Sequence, residues 1–481
     1  MTRLLPRFSL LAAALLLAGC ASVSPDGLRS DVAQQVQSHL PADAQLPATD
    51  ASAQHKAQTQ ISHWLQAPLD ADTAVRIALL NNAGLQAQLA QLGIADAERV
   101  QALSLPNPSF TFGRFRNGHE REIERQLSFG LVQLITLPWR SQWQGWQLEQ
   151  AKLTAAQQVL QLAADTRRAW LRAVAAQQAL AANERMHEAA AIGGELARRM
   201  AQVGNFSKLD QARELTQQQQ AAAQLARARL NAQLEREQLA RRMGLWGEQL
   251  AFQLPEQLPA LPPSAEQLRD GADIEATAMR QRLDLQALRR DLDVTAGRQG
   301  WATIGAIFGD IGLSYSRNTS TERANGHSDT TRGWELEVPL PLFDWGFAAQ
   351  GMARNQALRS AAQLRDTAIR ARSEARSSWL AYRTAYDLAR QQKAEVLPLA
   401  QQMQEESVYH YNGMFISVWQ LLAQARATTQ AVVTATEAQR DFWLADTELQ
   451  LALTSAGSGA APTAASTNTS AAPAANNEAG H

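Results

Sequence analysis

Two long stretches of this 481-residue chain contain almost no proline, and they restrict its fold more than any other feature. The first stretch runs from Trp139 to Leu254, and the second runs from Leu342 to Leu397 and resumes after Pro398. Both are rich in Ala, Leu, Gln, Arg and Glu, which are strong helix formers. Because proline interrupts helices, the sequence predicts helices too long for one compact globule.

The two stretches also match each other when the second is shifted back by 209 positions. The matching pairs are Arg167 with Arg376, Trp170 with Trp379, Gly204 with Gly413 and Phe206 with Phe415. In front of each stretch a shift of 200 places Leu85-Gln86-Ala87 over Leu285-Gln286-Ala287. Self-similarity of this kind indicates two copies of one structural unit.

A heptad pattern of small residues runs along the second stretch. Its two lines are Ala361, Ala368, Ala375, Tyr382, Ala389 and Val396, and Leu364, Ala371, Ser378 and Ala385. Shifted back by 209 positions, both lines stay mostly apolar or small. This spacing predicts a coiled-coil seam with closely packed helices in both units.

Between the short helix and the long stretch, each unit changes to a period of two, which is typical of strands. In the first unit Phe110 and Phe112 alternate with small residues, a charged turn is predicted at 117–122, and a second strand is predicted near 127–136. In the second unit the alternation covers 307–316 and 334–340, with a polar loop predicted from Arg317 to Arg332. The sequence therefore predicts four strands in two hairpins.

The N-terminal residues have the layout of a secretory signal peptide, with a basic start and an apolar run over 8–18. The run ends in Leu17-Ala18-Gly19-Cys20, the pattern of a lipoprotein signal, so Cys20 is expected to carry a diacylglycerol. Cys20 is the only cysteine, so lipidation would leave no free thiol. Ala21 stands where an inner-membrane retention signal has Asp, which favours the outer membrane. An ordinary signal peptide with an incidental cysteine is the alternative.

These features divide the chain into five segments. We expect a signal peptide at 1–19, an extended lipidated linker at 20–60, a first repeat at 61–254, a second repeat at 255–454 and a disordered tail at 455–481. Each repeat has a short helix, a β-hairpin (108–137 and 303–340) and a long helical hairpin. The tail is too poor in apolar residues to fold.

Composition argues against several functions. A net charge of -1 gives no overall field that favours nucleic acid or anionic lipid. The eight histidines show no spacing typical of a metal site, and no phosphate-binding loop or thiol nucleophile is present, so we expect no catalytic residue, no metal and no cofactor besides the lipid on Cys20. After the signal peptide no apolar run reaches the roughly 18 residues of a membrane helix. A bilayer would have to be crossed by strands.

Tryptophan positions support such a crossing. Six of the twelve tryptophans lie at or just beyond the predicted strands: Trp139, Trp143, Trp146, Trp301, Trp334 and Trp345. Membrane barrels place aromatic girdles there, although a soluble sheet with tryptophans in its core is the alternative. Open strand edges are not tolerated in lipid, so several copies would have to share one barrel.

Five segments resemble the TolC family of outer-membrane efflux proteins, including its lipoprotein branch. They are 69–82, 282–287, 338–346, 202–213 and 411–425. The first two lack the proline usual in the family, where Ala83-Gly84 and Leu283 stand instead. The resemblance covers nearly all of the mature chain.

The resemblance implies a mainly α fold. Long antiparallel coiled-coil helices would form a periplasmic α-barrel, and four strands per subunit would complete an outer-membrane β-barrel in a homotrimer. It implies a passive channel, not an enzyme, that conducts substrates from an inner-membrane pump and a periplasmic adaptor to the exterior. The rival interpretation is a periplasmic adaptor or a structural coiled-coil lipoprotein. The exported substrate is open.

Gly204 and Gly413 each interrupt a helical pattern, and glycine accepts positive φ at a helix end. We therefore expect them in the turns at the periplasmic tips, with a simple helix kink as the alternative. In the family the residues after this turn close the pore.

The candidate gate combines one acidic and three apolar residues. Asp210 lies after the first turn, and at a shift of 209 Trp419 and Leu422 take the positions where the family often has carboxylates. The sequence thus predicts a hydrophobic constriction of Val418, Trp419 and Leu422, contributed by each copy. Burial of these side chains between the tip helices is the alternative.

Overall fold

The computed structural model describes residues 22–456, apart from 105–106, 117, 119, 131, 133–135, 309–310, 323–325, 339, 341–342 and 344. For residues 300–308 only the backbone is described. The predicted signal peptide, Cys20 and positions 457–481 of the predicted tail lie outside the described residues.

Most of the described chain is helical, and its elements follow the predicted order twice. The N-terminal segment contains α1 (Arg29–Val36) and α2 (Ala51–Trp64), which precede the first unit. The first unit contains α3 (Ala71–Asn81), α4 (Ala83–Leu103), β1 (Ser109–Arg116), β2 (Glu120–Gly130), α5 (Leu137–Gln202) and α6 (Lys208–Met243). The second contains α7 (Ile274–Gln281), α8 (Leu283–Phe308), β3 (Gly312–Glu322), β4 (Ser328–Glu337), α9 (Phe347–Gln391), a π-helical turn (Gln392–Val396), α10 (Leu397–Asn412) and α11 (Val418–Thr454).

The prediction of very long helices is confirmed. Helix α5 has 66 residues, which corresponds to roughly 100 Å at 1.5 Å per residue. Pro138 lies in its first turn, where backbone N–H groups have no partner within the helix, so the missing N–H of proline costs no hydrogen bond. Helix α6 ends at Gly244, whose φ of +70° suits a glycine. Among the described helices, none is long and apolar enough to cross a membrane.

Equivalent hydrogen bonds confirm the repeat. The Trp170 indole N–H donates to the Leu69 carbonyl at 2.7 Å, and the Trp379 indole N–H donates to the Arg269 carbonyl at 3.2 Å. The tryptophans are 209 residues apart and their acceptors are 200 apart, as the sequence predicted. Each bond ties a long helix to the segment before a short helix.

The predicted seam packs over part of its length. Ala371, Ala375, Tyr382 and Ala389 are buried, and their first-unit counterparts include the buried residues Ala173 and Thr166. Small side chains let the helices approach closely there. At the two ends of the seam, Ala361 and Val396 are exposed.

The four strands form one antiparallel sheet in the order β1-β2-β3-β4. Strands β2 and β3 join the two hairpins, with a register that runs from Glu120 opposite Glu322 to Gly130 opposite Gly312. The outer edges of β1 and β4 pair with no other strand described here. The sheet is therefore shared by both units and open on both sides.

The strand boundaries differ from the predicted ones. Helix α8 continues to residue 308, so the region of Ile307 is helical, and β2 covers 120–130 instead of 127–136. The predicted loop 317–332 contains the outer halves of β3 and β4, where Thr319 and Thr330 face each other. The ladder is formed by backbone groups, so it continues where the side chains on both faces are polar and the apolar alternation stops.

The N-terminal segment is not an extended linker, contrary to the prediction. Helices α1 and α2 lie within it, and Val32 and Val36 are fully buried in a core cluster with Val159. The Ser24 N–H donates to the buried carboxylate of Asp96 at 2.7 Å. The composition of this segment is polar on average, but one face of its helices is apolar. That face is enough to attach the segment to α4 and α5.

Candidate functional site: hairpin tips and strand faces

Each long helical hairpin reverses in a short turn with the same hydrogen bonds. In the first turn the Asn205 N–H donates to the Met200 carbonyl, and in the second the Phe415 N–H donates to the His410 carbonyl, both at 2.9 Å. The two turns are therefore offset by 210 residues, not by 209. Gly204 and Gly413 both lie in these turns.

The expected positive φ is confirmed for Gly204 and wrong for Gly413. Gly204 has a φ of +80°. Gly413 has a φ of −80°, and the left-handed position is occupied by Met414 at +62°. With an offset of 210, Met414 is the structural counterpart of Gly204.

One extra residue in the second unit explains the changed offset. The π-helical turn Gln392–Val396 lies between Trp379, where the offset is 209, and the tip, where it is 210. Such a wide turn takes one more residue than an α-helical turn. Pro398 cannot donate to the carbonyl of Ala394 and its ring crowds that group, which accounts for the position of the turn.

The helices after both turns begin with matching caps. The Asp210 N–H donates to Ser207 Oγ at 3.0 Å, and the Ser207 hydroxyl donates to the Asp210 carboxylate at 2.7 Å. Ser417 accepts from the Gln420 N–H, while its own N–H donates to Gln420 Oε1 at 2.9 Å. Both are helix N-caps. Gln420, and not Trp419, is thus the counterpart of Asp210.

Two of the predicted gate residues, Trp419 and Leu422, contact the other hairpin of the same chain. The Trp419 ring stacks on Phe206 with 4.8 Å between ring centroids. A Cβ added to Gly193 would lie 3.0 Å from Leu422 Cδ1, so this glycine lets α11 approach α5 closely. Val418, Trp419 and Leu422 are all half-buried. Their role as a constriction stays a prediction.

An ion pair also joins the hairpins. Arg426 of α11 lies 3.7 Å from the Glu214 carboxylate of α6, and their side chains are only 24% and 15% exposed. Sequence reasoning missed this pair because neither residue belongs to a motif or a heptad line. Because this ion pair is partly buried, it restricts how the two hairpins pack more than an exposed ion pair would. Its net contribution to the free energy of unfolding stays small.

Apolar side chains cover the outer surface of the tips. Val203, Leu209, Tyr409, Met414 and Phe415 are between 62% and 92% exposed. A group of exposed apolar residues in one place is typical of a surface that binds another protein. The tips therefore present a candidate docking surface.

At the opposite end of the helices, charge is separated between the two faces of the sheet. Residues directly opposite in an antiparallel pair project from the same face. One face, here called the arginine face, carries Arg114, Arg116, Arg121, Arg125, Arg317 and Arg332. The other, the acidic face, carries Glu120, Glu122, Glu124, Glu322, Asp329, Glu335 and Glu337. Within these four strands, no base lies on the acidic face and no acid on the arginine face.

The arginine face also holds nearly all the large apolar side chains of the sheet. They are Phe110, Phe112, Ile123, Leu127, Phe129, Leu313, Tyr315, Trp334 and Leu336, while Phe115 alone lies on the acidic face. Trp334 is 71% exposed although it lies 5.0 Å from Tyr315. An apolar face this exposed is suited to contact with lipid.

The predicted girdle tryptophans do not all behave alike. Trp139, Trp334 and Trp345 are exposed. Trp143 and Trp146 lie against Gly297 of α8, and the Trp301 side chain lies outside the description. Three of the six tryptophans thus lie at the protein surface.

Metal binding finds no support in the described part of the chain, where no three His, Cys, Asp or Glu side chains are grouped to hold an ion.

Comparison with known proteins identifies the fold. No protein-family model matches the sequence, and no curated protein sequence matches it. Solved structures do match: the CmeC outer membrane channel of Campylobacter jejuni has a TM-score of 0.66 at 15% identity, covering 80% of this chain and 85% of that one. VceC, an outer membrane protein of Vibrio cholerae, gives 0.61 at 14%, covering 84% and 98%. The open MtrE outer membrane channel of Neisseria gonorrhoeae gives 0.62 at 16%, covering 82% and 89%.

The chain therefore has the fold of an outer-membrane channel subunit. More particularly, it is the fold implied by the TolC-family resemblance, which is confirmed at that level.

The tip geometry predicts different effects of alanine at two glycines that the sequence treats as equivalent. Gly204→Ala forces an L residue into the left-handed region and should destabilise the turn by about 1–2 kcal/mol. Gly413→Ala should have a much smaller effect, because its φ is negative and its added Cβ meets mainly the exposed, movable Phe415 ring. Hydrogen exchange of the Asn205 and Phe415 amides measures both.

Met414→Gly is the reciprocal control and should slow exchange at the second turn. Equal destabilisation by the two alanine variants would contradict the offset of 210.

Proposed function

We propose that this chain is the outer-membrane channel subunit of an export system. Three copies would form one duct that passively conducts substrates from an inner-membrane pump and a periplasmic adaptor to the exterior. The fold shared with CmeC and MtrE supports the channel role. One observation carries the proposal. Inside the chain the two units pack against each other, whereas the equivalent apolar surfaces at the two outer sides of the chain are exposed.

The first part of this observation concerns the long helices. Helix α5 of the first unit packs against α8 and α11 of the second. On α5, Leu160 and Leu171 are 5% and 4% exposed, whereas their counterparts on α9, Ile369 and Leu380, are 63% and 59% exposed. The second unit thus presents the apolar stripe that the first unit buries.

The first unit shows the converse. Val294 of α8 is 4% exposed, whereas its counterpart Ile94 on α4 is 50% exposed. Leu444 of α11 packs on the core cluster that contains Leu171, whereas its counterpart Leu234 on α6 is 52% exposed. These exposed residues are the ones that a second unit of another copy would cover.

Copies joined in this way would form a head-to-tail interface, which gives a closed ring when the rotation from one copy to the next is a whole fraction of a full turn. The TolC-family resemblance sets the number at three. The free edges of β1 and β4 would pair between copies, which removes every open edge in lipid. The apolar arginine face would point to lipid and the acidic face to the lumen.

The remaining parts of the proposal are the anchor and the partners. Cys20 would carry the lipid, and the hydrogen bond between Ser24 and Asp96 would hold the chain four residues away from it. The apolar tip surface would bind the adaptor. Conduction needs no catalytic residue, metal or other cofactor, so the protein would not be an enzyme.

Cysteine cross-linking tests the ring. With Leu234→Cys and Leu380→Cys in one chain, a short thiol cross-linker should join neighbouring copies and give a closed trimer on a denaturing gel. The reason is that these two side chains correspond to Leu444 and Leu171, which pack in one cluster within the chain. Since Cys20 is the only native cysteine, the background is low.

The matched control pairs Leu209→Cys with Leu380→Cys, because Leu209 is at least as exposed as Leu234 but lies at the tip. Cross-linking in the control and not in the test pair would count against the proposed ring.

The gate prediction can be separated from simple packing. Trp419→Ser and Leu422→Ser should raise the single-channel conductance of the isolated trimer, because a dry apolar constriction would become wettable. Phe206→Ser removes the stacking partner of Trp419 but leaves its indole in place, so it should raise conductance less. Unchanged conductance in the Trp419 and Leu422 variants, or an equal effect of Phe206→Ser, would refute the constriction.

A further inference from the structure

We propose that the arginine face of the sheet binds the phosphate groups of anionic lipids in the outer leaflet of the membrane. This inference rests on the proposed function, because it needs the sheet to lie in a bilayer with its arginine face outward. It adds a lipid-binding site to the channel.

The central feature is a row of three arginines. Arg125 lies directly opposite Arg317, and Arg317 lies directly opposite Arg332. Paired residues in an antiparallel sheet have Cβ atoms about 5 Å apart, and like charges so placed repel each other. A bound anion would remove that repulsion.

Three further arginines extend the row along β1 and β2 towards the turn between these two strands. Arg116 is opposite Arg121, and Arg114 lies between this pair and the row. Together the six form a continuous basic patch on one side of the sheet.

The protein itself supplies no anion to this patch. In the described part of the chain, none of the six arginines forms an ion pair. The seven acids of the strands all project from the opposite face, where the sheet separates them from the guanidinium groups. Arg317 and Arg332 are exposed and Arg125 is half-buried. The partner must therefore come from the surroundings.

The depth of the row selects the partner. On the arginine face, each strand carries two large apolar residues on the helix side of its first arginine. In the strands of the row these are Phe129 and Leu127 before Arg125, Leu313 and Tyr315 before Arg317, and Leu336 and Trp334 before Arg332. In membrane barrels such an apolar band faces the lipid and ends at the interface. The row thus lies near the outer edge of that band, at the level of lipid headgroups.

Phosphate is the anion that this level offers and that arginine fits best. The planar guanidinium donates two parallel hydrogen bonds to phosphate oxygens and is weakly hydrated. Thr319, Thr330, Thr321 and Ser328 place hydroxyl groups on the same face just beyond the row. Anionic headgroups at the outer leaflet would thus meet charge and hydrogen-bond donors together.

Native mass spectrometry of the full chain, purified in detergent, tests the inference. Phosphatidylglycerol and phosphatidylcholine are added separately and the bound lipids are counted. The wild-type chain should retain phosphatidylglycerol more strongly, by about fivefold for each arginine engaged. A variant with Arg125→Gln, Arg317→Gln and Arg332→Gln should lose this preference.

The matched control carries Glu124→Gln, Glu335→Gln and Glu337→Gln on the opposite face and should keep the preference. If the arginine variant fails to assemble, two other measurements decide: Arg317→Lys should weaken the preference only partly, and 1 M salt should abolish it in the wild type, since the Debye length then falls to about 3 Å.

Conductance measured on the same samples separates the two proposals. A wild-type chain that conducts but binds both lipids equally would overturn the lipid inference and leave the channel function standing. A wild-type chain that neither conducts nor prefers phosphatidylglycerol would overturn both.

Discussion

The packing of the first unit's long helix against the second unit is the contact on which the rest of the structure depends. Helix α5 packs against α8 and α11, and Leu444 of α11 lies on the core cluster that contains Leu171, so the two helical hairpins stand side by side with their turns at one end and their strands at the other. Both units carry the same packing faces. Within a single chain, one face of each kind is therefore left uncovered. In the proposed ring, neighbouring copies would cover these faces, so association would bury apolar surface in the same way as folding does.

The sheet obeys a second constraint, which is the period of two. Alternate residues face opposite environments, and in these strands the two sets differ in charge as well as in polarity: arginines and aromatic rings on one side, carboxylates and small polar side chains on the other. Such a separation has no use in a soluble sheet with water on both sides. It suits a wall between lipid and a polar lumen. The proposed channel function and the proposed phosphate binding both depend on this separation.

Features set by local pattern could be predicted from the sequence. Helix length followed from the absence of proline, the repeat from matched residues such as Trp170 and Trp379, and the seam from small residues at heptad spacing. The strands were only half predicted, because β3 and β4 continue through polar residues that backbone ladders tolerate. The left-handed position at Met414 escaped prediction since one residue had been inserted at the π-helical turn. The contact between Glu214 and Arg426 depends on tertiary packing alone.

In the proposed channel the strands hold the protein in the membrane, and a lipid on Cys20 would add only a tether. The most direct measurement is made on full-length protein with Cys20→Ala, purified and added to a planar bilayer. If the strands anchor the protein, this variant still needs detergent to stay in solution and still produces discrete conductance steps. A variant that is soluble without detergent and electrically silent would contradict it and favour a periplasmic adaptor or structural lipoprotein.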